Sequence, residues 1–137
     1  MTDTVALVRA AYDGLAKGDP GPLLEILHPE VEWNEAEHSP YWRGGPYIGP
    51  QAVVENVLAK LAEDAEDFTV EVGRMVGAGD TVLVEARYRA TAMTATGEPL
   101  DAQAAHVWDF EDDKVVRWQQ YLDTWEMARK GGVEPAP

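Results

Sequence analysis

The chain has 137 residues, a formal net charge of −14 at pH 7 and no cysteine. This length is typical of one domain and is enough to bury a core. Without cysteine the chain has no disulfide, no thiolate metal site and no cysteine nucleophile. The negative charge repels phosphate groups and no basic cluster opposes it, so we expect no nucleic-acid partner.

Hydrophobic residues make up 45% of the chain and charged residues 26%, which is typical of a globular protein. No stretch reaches the ~20 apolar residues that a membrane helix needs. Residues 1–4 lack the basic and apolar regions of a signal peptide. We therefore expect a cytoplasmic protein that does not insert into a membrane.

Helical periodicity is confined to the first half of the chain. Apolar residues recur at helical spacing in three segments, which are residues 4–17, a short stretch between Pro20 and His28, and residues 50–62. Asp3 or Thr4 is the candidate cap of the first helix, and Asp19 that of the second. The third helix has the clearest apolar stripe and is predicted to pack against the rest of the fold.

From Phe68 onward the apolar period changes to two, which predicts strands. Four strands are expected, at residues 68–76, 81–92, 100–111 and 114–123. Short turns separate them, so they should form an antiparallel meander. A short strand at 31–33 precedes an irregular segment at 35–50, and a helical turn is expected at 125–130.

Helices that come first and strands that follow predict an α+β fold in which helices cover one face of the sheet. A strongly twisted sheet wrapped around a long helix leaves a cone-shaped hollow. Such an interior suits a small apolar molecule when a few polar groups converge in it. We predict one domain of this kind over residues 1–130 and a flexible tail at 131–137.

His106 is the first candidate for chemistry in the hollow. It shares a predicted strand face with Ala104, Trp108 and Phe110, which places an imidazole among apolar groups. Such a histidine either acts in the pocket or satisfies the hydrogen bond of a neighbour, and burial lowers its pKa.

Asp123 is the second candidate, at the end of the last predicted strand. Alternation gives this strand an apolar face that we expect to be inward, made of Val116, Trp118, Gln120 and Leu122. Asp123 and Tyr121 fall on the opposite face. Asp123 turns inward if the strand ends in a bulge, or else it caps the helix that begins near Thr124.

Glu35 follows Trp33 with strand parity, so it points toward the mouth of the cavity as a candidate base if Trp33 lines that cavity. The alternative is a solvated loop carboxylate. His38, Tyr41 and Trp42 lie in the loop that follows. Their rings form a lid over the cavity, or they pack on the surface or in a dimer contact.

Metal and nucleotide sites have little support. His28, His38 and His106 are not spaced as HxH or HExxH, so no two of them lie on one element as metal ligands. The glycine-rich nucleotide motifs and the GxSxG motif of hydrolases are also missing. We therefore expect neither a metal nor another cofactor.

Four segments together resemble a known superfamily. They read VRAAYDGLAKGD at 8–19, LHPEVEW at 27–33, YIGPQAV at 47–53 and AHVWDFEDDKVVRWQQYLDT at 105–124. Over about residues 4–130 the chain resembles SnoaL-like members of the nuclear-transport-factor-2-like group, which also contains ketosteroid isomerases and limonene epoxide hydrolases. The resemblance implies a cystatin-like cone, with three N-terminal helices packed in a strongly curved antiparallel sheet, and a homodimer through the sheet.

The resemblance also implies roles for single residues. In SnoaL-like cyclases an aspartate before the terminal helix is the acid/base, and Asp123 occupies that place. The position of the protonated aspartic acid of ketosteroid isomerases is taken by His106, and their helix-one tyrosine falls one residue from Tyr12. Their base position falls around 33–35, where Glu35 supplies a carboxylate after a shift of one residue.

The leading hypothesis is a cofactor-independent acid/base enzyme of cyclase, isomerase or lyase type that acts on a small hydrophobic carbonyl or polyketide-like molecule. Its candidate catalytic residues are Asp123, His106 and Glu35, which would move protons next to a carbonyl group. The candidate substrate-binding residues are Tyr12, Trp33, His38, Tyr41, Trp42, Trp108, Trp118, Gln120 and Tyr121. The alternatives are a non-catalytic ligand-binding or dimerisation module and an epoxide hydrolase, which would need two inward aspartates and an arginine.

Overall fold

The computed structural model describes residues 3–132 of the chain. The helices are α1 (Thr4–Ala16), α2 (Gly21–Ile26), α3 (Pro50–Val53), a π-helical segment (Val54–Leu58), α4 (Ala59–Asp64) and α5 (Thr124–Lys130). The strands are β1 (Leu27–Asn34), β2 (Tyr47–Ile48), β3 (Ala65–Glu66), β4 (Thr69–Ala78), β5 (Thr81–Ala90), β6 (Ala92–Met93), β7 (Leu100–Glu111) and β8 (Lys114–Leu122). Of the predicted tail, residues 133–137 lie outside the described part.

The helices begin where the sequence predicts them. Asp3 caps α1, since its carboxylate accepts the backbone N–H of Ala6 at 3.2 Å. Asp19 is not the cap of α2 as expected, because Pro20 takes that position without a side-chain hydrogen bond, although the Asp19 carboxylate accepts the N–H of Gly21 at 2.9 Å. The predicted third helix is continuous from residue 50 to 64, with the π-helical segment between α3 and α4. We call residues 50–64 the long helix.

The main sheet has six strands in the order β2-β1-β8-β7-β5-β4. The predicted meander is present, because β4, β5, β7 and β8 pair in succession and antiparallel. The first strand is longer than expected and pairs parallel with β8, with Trp33 opposite Trp118. Alternation over three residues gives no strand direction, so this parallel pairing was not predicted. The chain therefore has the predicted α+β cone, with a mixed sheet.

Alternation places the inner face of β7 as predicted, with Ala104, His106, Trp108 and Phe110 buried. In β8 the pattern shifts, because Asp109 pairs with Arg117 while Phe110 pairs with Val115. This bulge leaves Val116 as the extra residue, so Val115 is buried and Val116 is half-buried. The prediction that Val116 faces inward was therefore wrong.

The outer face of the sheet is polar along β4, β5 and β7. Its ion pairs join Arg74 to Glu85, Arg87 to Asp101, and Arg89 to both Glu71 and Asp101. These groups are well exposed, so each pair contributes little to stability. Arg87 and Arg89 face outward, while Tyr88 between them is buried. No helix within residues 3–132 is both long enough and apolar enough to cross a membrane.

Candidate active site

A cavity of about 550 Å³ lies between the helices and the inner face of the sheet. Apolar side chains of α1, α2 and the long helix form one side, among them Leu15, Leu23, Val57 and Leu61. The described residues that carry polar or titratable groups on its wall are Tyr12, Trp33, Glu35, Tyr41, Thr69, Tyr88, His106, Trp108, Trp118 and Gln120. The cavity therefore combines an apolar wall with a compact polar side on the sheet.

His106 lies at the centre of this polar side and is 3% exposed. Its Nδ1 lies 2.5 Å from the hydroxyl oxygen of Tyr12, and its Nε2 lies 2.5 Å from that of Tyr88. Both ring nitrogens are therefore engaged by phenols that come from α1 and β5. Burial lowers the pKa of His106 to about 3, so the imidazole is neutral near pH 7.

Two further side chains fix the tyrosines. The indole N–H of Trp108 donates to the hydroxyl oxygen of Tyr12 at 3.1 Å. The amide of Gln120 donates through Nε2 to the hydroxyl oxygen of Tyr88 at 2.8 Å. Its Oε1 accepts the backbone N–H of Ala36 at 3.1 Å, which fixes the orientation of the amide because that N–H cannot accept. Burial raises the pKa of Tyr12 and of Tyr88 above the usual range, so both phenols keep their hydrogens.

Glu35 lies directly after β1 and is 4% exposed. Its carboxylate accepts a hydrogen bond from the indole N–H of Trp33 at 2.9 Å. Burial raises the pKa of this carboxyl to about 7, although the Trp33 hydrogen bond lowers it in part. The group therefore exists in both protonation states near neutral pH, as an acid/base catalyst requires. The predicted solvated alternative does not hold.

The negative charge of Glu35 affects the pKa of three tyrosines. It contributes to the raised pKa of Tyr88, Tyr41 and Tyr47, in each case after burial as the larger cause. Tyr88 is also the partner of His106, so the carboxyl and the phenol network belong to one site. Glu35 is the only acidic or basic side chain besides His106 among the described lining residues, since tyrosine is neutral here.

Tryptophans form the floor between Glu35 and His106. Trp33 and Trp118 are stacked, with ring centroids 3.7 Å apart, and Trp108 meets both of them edge-on. The ring of Trp118 lies 4.7 Å from that of His106. Its Nε1 is buried and has no hydrogen-bond partner among the described residues. This indole N–H is therefore a buried donor without a matched acceptor among the described residues.

Asp123 lies outside the cavity. Its side chain is exposed and accepts the backbone N–H of Glu126 at 3.1 Å, which makes it the N-cap of α5. No bulge turns the end of β8 inward, because the strand keeps its alternation through Leu122. The hypothesis that Asp123 supplies an inward acid/base is not supported, and the alternative of a helix cap is the one observed.

Three expected substrate-binding residues also lie elsewhere. Tyr121 is 59% exposed on the outer face of the sheet, as its alternation with Gln120 requires. His38 and Trp42 are exposed and contact each other edge-on, with ring centroids 4.9 Å apart. His38 has a left-handed backbone conformation with φ of 67°, and neither His38 nor Trp42 is among the residues that line the cavity.

The remaining expected residues meet in the cavity, which is lined by Tyr12, Trp33, Tyr41, Trp108, Trp118 and Gln120. Tyr41 donates to the carboxylate of Asp64 at 2.9 Å, which ties the loop after β1 to the long helix. Tyr88 was not predicted. Its alternation with the outward Arg87 and Arg89 was the signal for its inward position, but the sequence did not show that its hydroxyl reaches His106, which pairs with Val84 in the sheet.

Metal ligands are not grouped in the described part of the chain. Within residues 3–132, no three His, Asp or Glu side chains lie close enough together to hold a metal ion. The two ring nitrogens of His106 are both occupied by tyrosines, so the histidine at the site is not available as a ligand in this arrangement.

Comparisons with known structures agree on the fold. A nuclear-transport-factor-2-like protein from Burkholderia thailandensis superposes with a TM-score of 0.88 at 28% identity, over 95% of this chain and 98% of that chain. TerC, co-crystallised with polyporic acid, superposes with a TM-score of 0.81 at 24% identity, over 94% of this chain and 98% of that chain. A candidate SnoaL-like polyketide cyclase from Jannaschia sp. CCS1 superposes with a TM-score of 0.80 at 18% identity, over 96% of this chain and 93% of that chain. A comparison with curated proteins found no significant match.

The sequence itself identifies the family. The profile of the SnoaL-like domain matches residues 8–118, which is most of the chain and includes both His106 and Glu35. This match confirms the resemblance inferred from the four segments, and the chain therefore belongs to the SnoaL-like domain family.

Proposed function

We propose that this protein is a cofactor-independent acid/base enzyme, of isomerase or cyclase type, in which Glu35 removes a proton next to the carbonyl group of a small hydrophobic molecule. The observation that carries the proposal is a buried carboxyl with a pKa of about 7 at the edge of an apolar cavity. A general base works best when its pKa lies near the working pH. Membership of the SnoaL-like family and the likeness to a candidate polyketide cyclase support the same class of chemistry.

The polar wall suits the charge that this reaction creates. When the carboxylate of Glu35 takes the proton, the electrons of the C–H bond move onto the carbonyl oxygen and form an enolate. A hydroxyl of Tyr12 or Tyr88 donates a hydrogen bond to that oxygen. In the isomerase case the substrate has a carbon–carbon double bond beside the enolised carbon, and Glu35 returns the proton to the far carbon of the resulting dienolate, which moves the double bond. In the cyclase case the enolate carbon attacks a second carbonyl, and Glu35 protonates the new alkoxide.

Of the three candidate catalytic residues expected from the sequence, this assignment keeps Glu35 as the base and leaves out Asp123 and His106 as proton carriers. Asp123 is an exposed helix cap. His106 has both nitrogens bound to phenols and a pKa of about 3, so it is a poor proton acceptor near neutral pH. Its part in the proposed reaction is to hold Tyr12 and Tyr88 in place.

The hydrolase alternative has little support. An epoxide hydrolase of the resembling type would need two aspartates and an arginine in the cavity. The described lining residues include no aspartate and no arginine. The non-catalytic alternative differs from the enzyme in one measurable respect, which is whether Glu35 exchanges protons with a bound ligand.

The test uses 2-tetralone, a hydrophobic ketone with acidic hydrogens next to its carbonyl. In deuterated water the protein should accelerate exchange of those hydrogens for deuterium, as measured by proton NMR. The rate should rise as pH passes through about 7, where Glu35 ionises. Glu35→Gln should slow the exchange by about a hundredfold or more, because the amide cannot take a proton.

The matched control is Glu37→Gln, which removes an exposed carboxylate two residues away. It should leave the exchange rate unchanged. If Glu35→Gln exchanges 2-tetralone as fast as the wild type, Glu35 is not the base. If 2-tetralone binds to the wild type and its hydrogens are not exchanged, the cavity is a binding site for such ketones and the non-catalytic module becomes the better description.

A further inference from the structure

The hydrogen-bond donors and acceptors around His106 can be counted. The hydroxyl oxygen of Tyr12 already accepts a hydrogen from Trp108, and that of Tyr88 accepts one from Gln120. Both of these donors are fixed, because an indole N–H only donates and the Gln120 amide is oriented by Ala36. What is left to arrange is the hydrogens of the two phenols and of the imidazole.

A neutral imidazole carries one N–H and one acceptor nitrogen. Together with two phenol hydrogens, the group Tyr12, His106 and Tyr88 contains three hydrogens but only two contacts between phenol oxygen and ring nitrogen. Each contact uses one hydrogen. One phenol hydrogen is therefore always left over, whichever tautomer the imidazole adopts.

The tautomer of His106 decides which of the two phenols keeps a hydrogen that is not bound to the imidazole. If Nε2 carries the hydrogen, it donates to Tyr88, Tyr12 donates to Nδ1, and the hydroxyl of Tyr88 is free. If Nδ1 carries it, it donates to Tyr12, Tyr88 donates to Nε2, and the hydroxyl of Tyr12 is free. Both phenols line the cavity, so either hydrogen is available to a ligand.

We propose that His106 is a positioning residue which keeps one phenol hydrogen directed into the cavity, selects Tyr12 or Tyr88 by its tautomer, and so favours ligands that present an acceptor oxygen there, such as the oxygen of a carbonyl group or of its enolate. This inference deepens the proposed function and rests on it for the enolate. The ligand oxygen accepts the surplus phenol hydrogen, for which the described residues provide no acceptor.

Trp118 adds a second unmatched donor close to His106. Its indole N–H is buried without a partner among the described residues, and the centroid of its ring lies 4.7 Å from that of the imidazole. Two hydrogen-bond donors near His106 therefore lack an acceptor, the surplus phenol hydroxyl and the indole N–H of Trp118. Buried donors left without an acceptor are costly, so a ligand that brings an acceptor oxygen is favoured over an apolar one.

Nitrogen-15 NMR of the imidazole provides the test, since ring nitrogens with and without hydrogen have well-separated chemical shifts. Two matched variants each remove one phenol. In Tyr12→Phe the hydrogen should reside on Nε2, because a buried N–H facing the Phe ring would lack an acceptor. In Tyr88→Phe it should reside on Nδ1 for the same reason. The same tautomer in both variants, or hydrogen on both nitrogens of the wild type at pH 7, would overturn the proposal.

The ligand class is tested on the wild-type protein, so it does not depend on how the variants fold. The probes are 2-tetralone and tetralin, which differ only by the carbonyl group. We expect 2-tetralone to bind about three- to tenfold more tightly, the value of one hydrogen bond, and to change the tautomer ratio of His106 by about tenfold. Tetralin should bind without changing that ratio. Equal affinities, or a tautomer ratio that ignores 2-tetralone, would contradict the inference.

These outcomes are separate from those of the exchange experiment. If 2-tetralone changes the tautomer but its hydrogens do not exchange, the surplus phenol hydrogen is confirmed while the role of Glu35 as a base fails. If Glu35 catalyses exchange and the tautomer does not respond, the base is confirmed and the role of His106 fails.

Discussion

At the scale of single residues, burial changes the pKa of ordinary side chains and makes Glu35 a candidate acid/base group. Glu35 stands in an acidic segment beside Glu37, yet it is buried while Glu37 is exposed. The difference comes from Trp33, whose ring lies on the cavity floor and whose N–H binds the carboxylate. One indole therefore both places Glu35 and partly offsets the cost of its charge.

The pKa of Glu35 predicts a specific dependence of stability on pH. Because the folded pKa is about 7 and the usual value is 4.5, the folded state binds the proton more tightly than the unfolded state. This contribution to stability is complete below about pH 4.5 and is lost as pH rises through 7. Relative to Glu35→Gln, the wild type should lose about 3 kcal/mol of unfolding free energy between pH 4.5 and 8.

Urea unfolding of both proteins at several pH values measures this difference. Glu37→Gln, at an exposed position, provides the comparison that shows how much an ordinary carboxylate contributes. A difference between wild type and Glu35→Gln that stays constant from pH 4.5 to 8 would mean that the carboxyl is hydrated in solution rather than buried.

At the scale of elements, the boundary between β8 and α5 decides the role of Asp123. The strand ends at Leu122 with its alternation intact, so the next side chain faces outward. The helix then begins at Thr124, and its first N–H groups need an acceptor. An aspartate at this junction satisfies them, which is why a position that resembles a catalytic one is a helix cap here.

Two substitutions separate the cap from a catalytic role. Asp123→Ala should lower the unfolding free energy by about 1 kcal/mol, the usual effect of losing a cap. Asp123→Asn should leave it nearly unchanged, because asparagine caps equally well. Both variants should exchange 2-tetralone at the wild-type rate. Loss of exchange in the stable Asp123→Asn protein would return Asp123 to the list of catalytic groups.

At the scale of the whole molecule, the outer sheet face carries an apolar strip among its ion pairs. Val76, Leu83 and Val107 are neighbours across β4, β5 and β7, and the first two are 52% and 45% exposed. Exposed apolar patches of this kind often mark contacts between proteins. The strip is the natural centre for the homodimer that the family resemblance implies, and the dimer stays a prediction.

Sedimentation velocity tests the dimer. The wild type is expected to sediment as a dimer, and Leu83→Asp as a monomer, because a charge in the apolar strip would be buried unpaired. Ile48→Asp is the matched control, since Ile48 is 54% exposed on the edge strand β2, away from the strip. A wild type that sediments as a monomer, or equal effects of the two variants, would exclude this interface.

Much of the fold follows from the sequence because it depends on local patterns. The helical period of residues 4–17 and 50–62 and the alternation after Phe68 specify which residues are buried, and the short turns specify the antiparallel meander. Alternation also assigned His106, Trp118 and Gln120 to the inner face, where they lie. The sequence could not give the parallel pairing of β1 with β8, because pairing partners distant in the chain leave no local signal.

The composition of the site depends on tertiary structure, because its residues are also distant from one another in the chain. Tyr12, Tyr88 and His106 come from α1, β5 and β7, and only the closed cone brings their polar atoms to 2.5 Å. The sequence by itself determined an acidic α+β chain with an apolar hollow and several candidate acids and bases. Which of them are desolvated depends on what packs around each one, so the choice of Glu35 over Asp123 belongs to the folded structure alone.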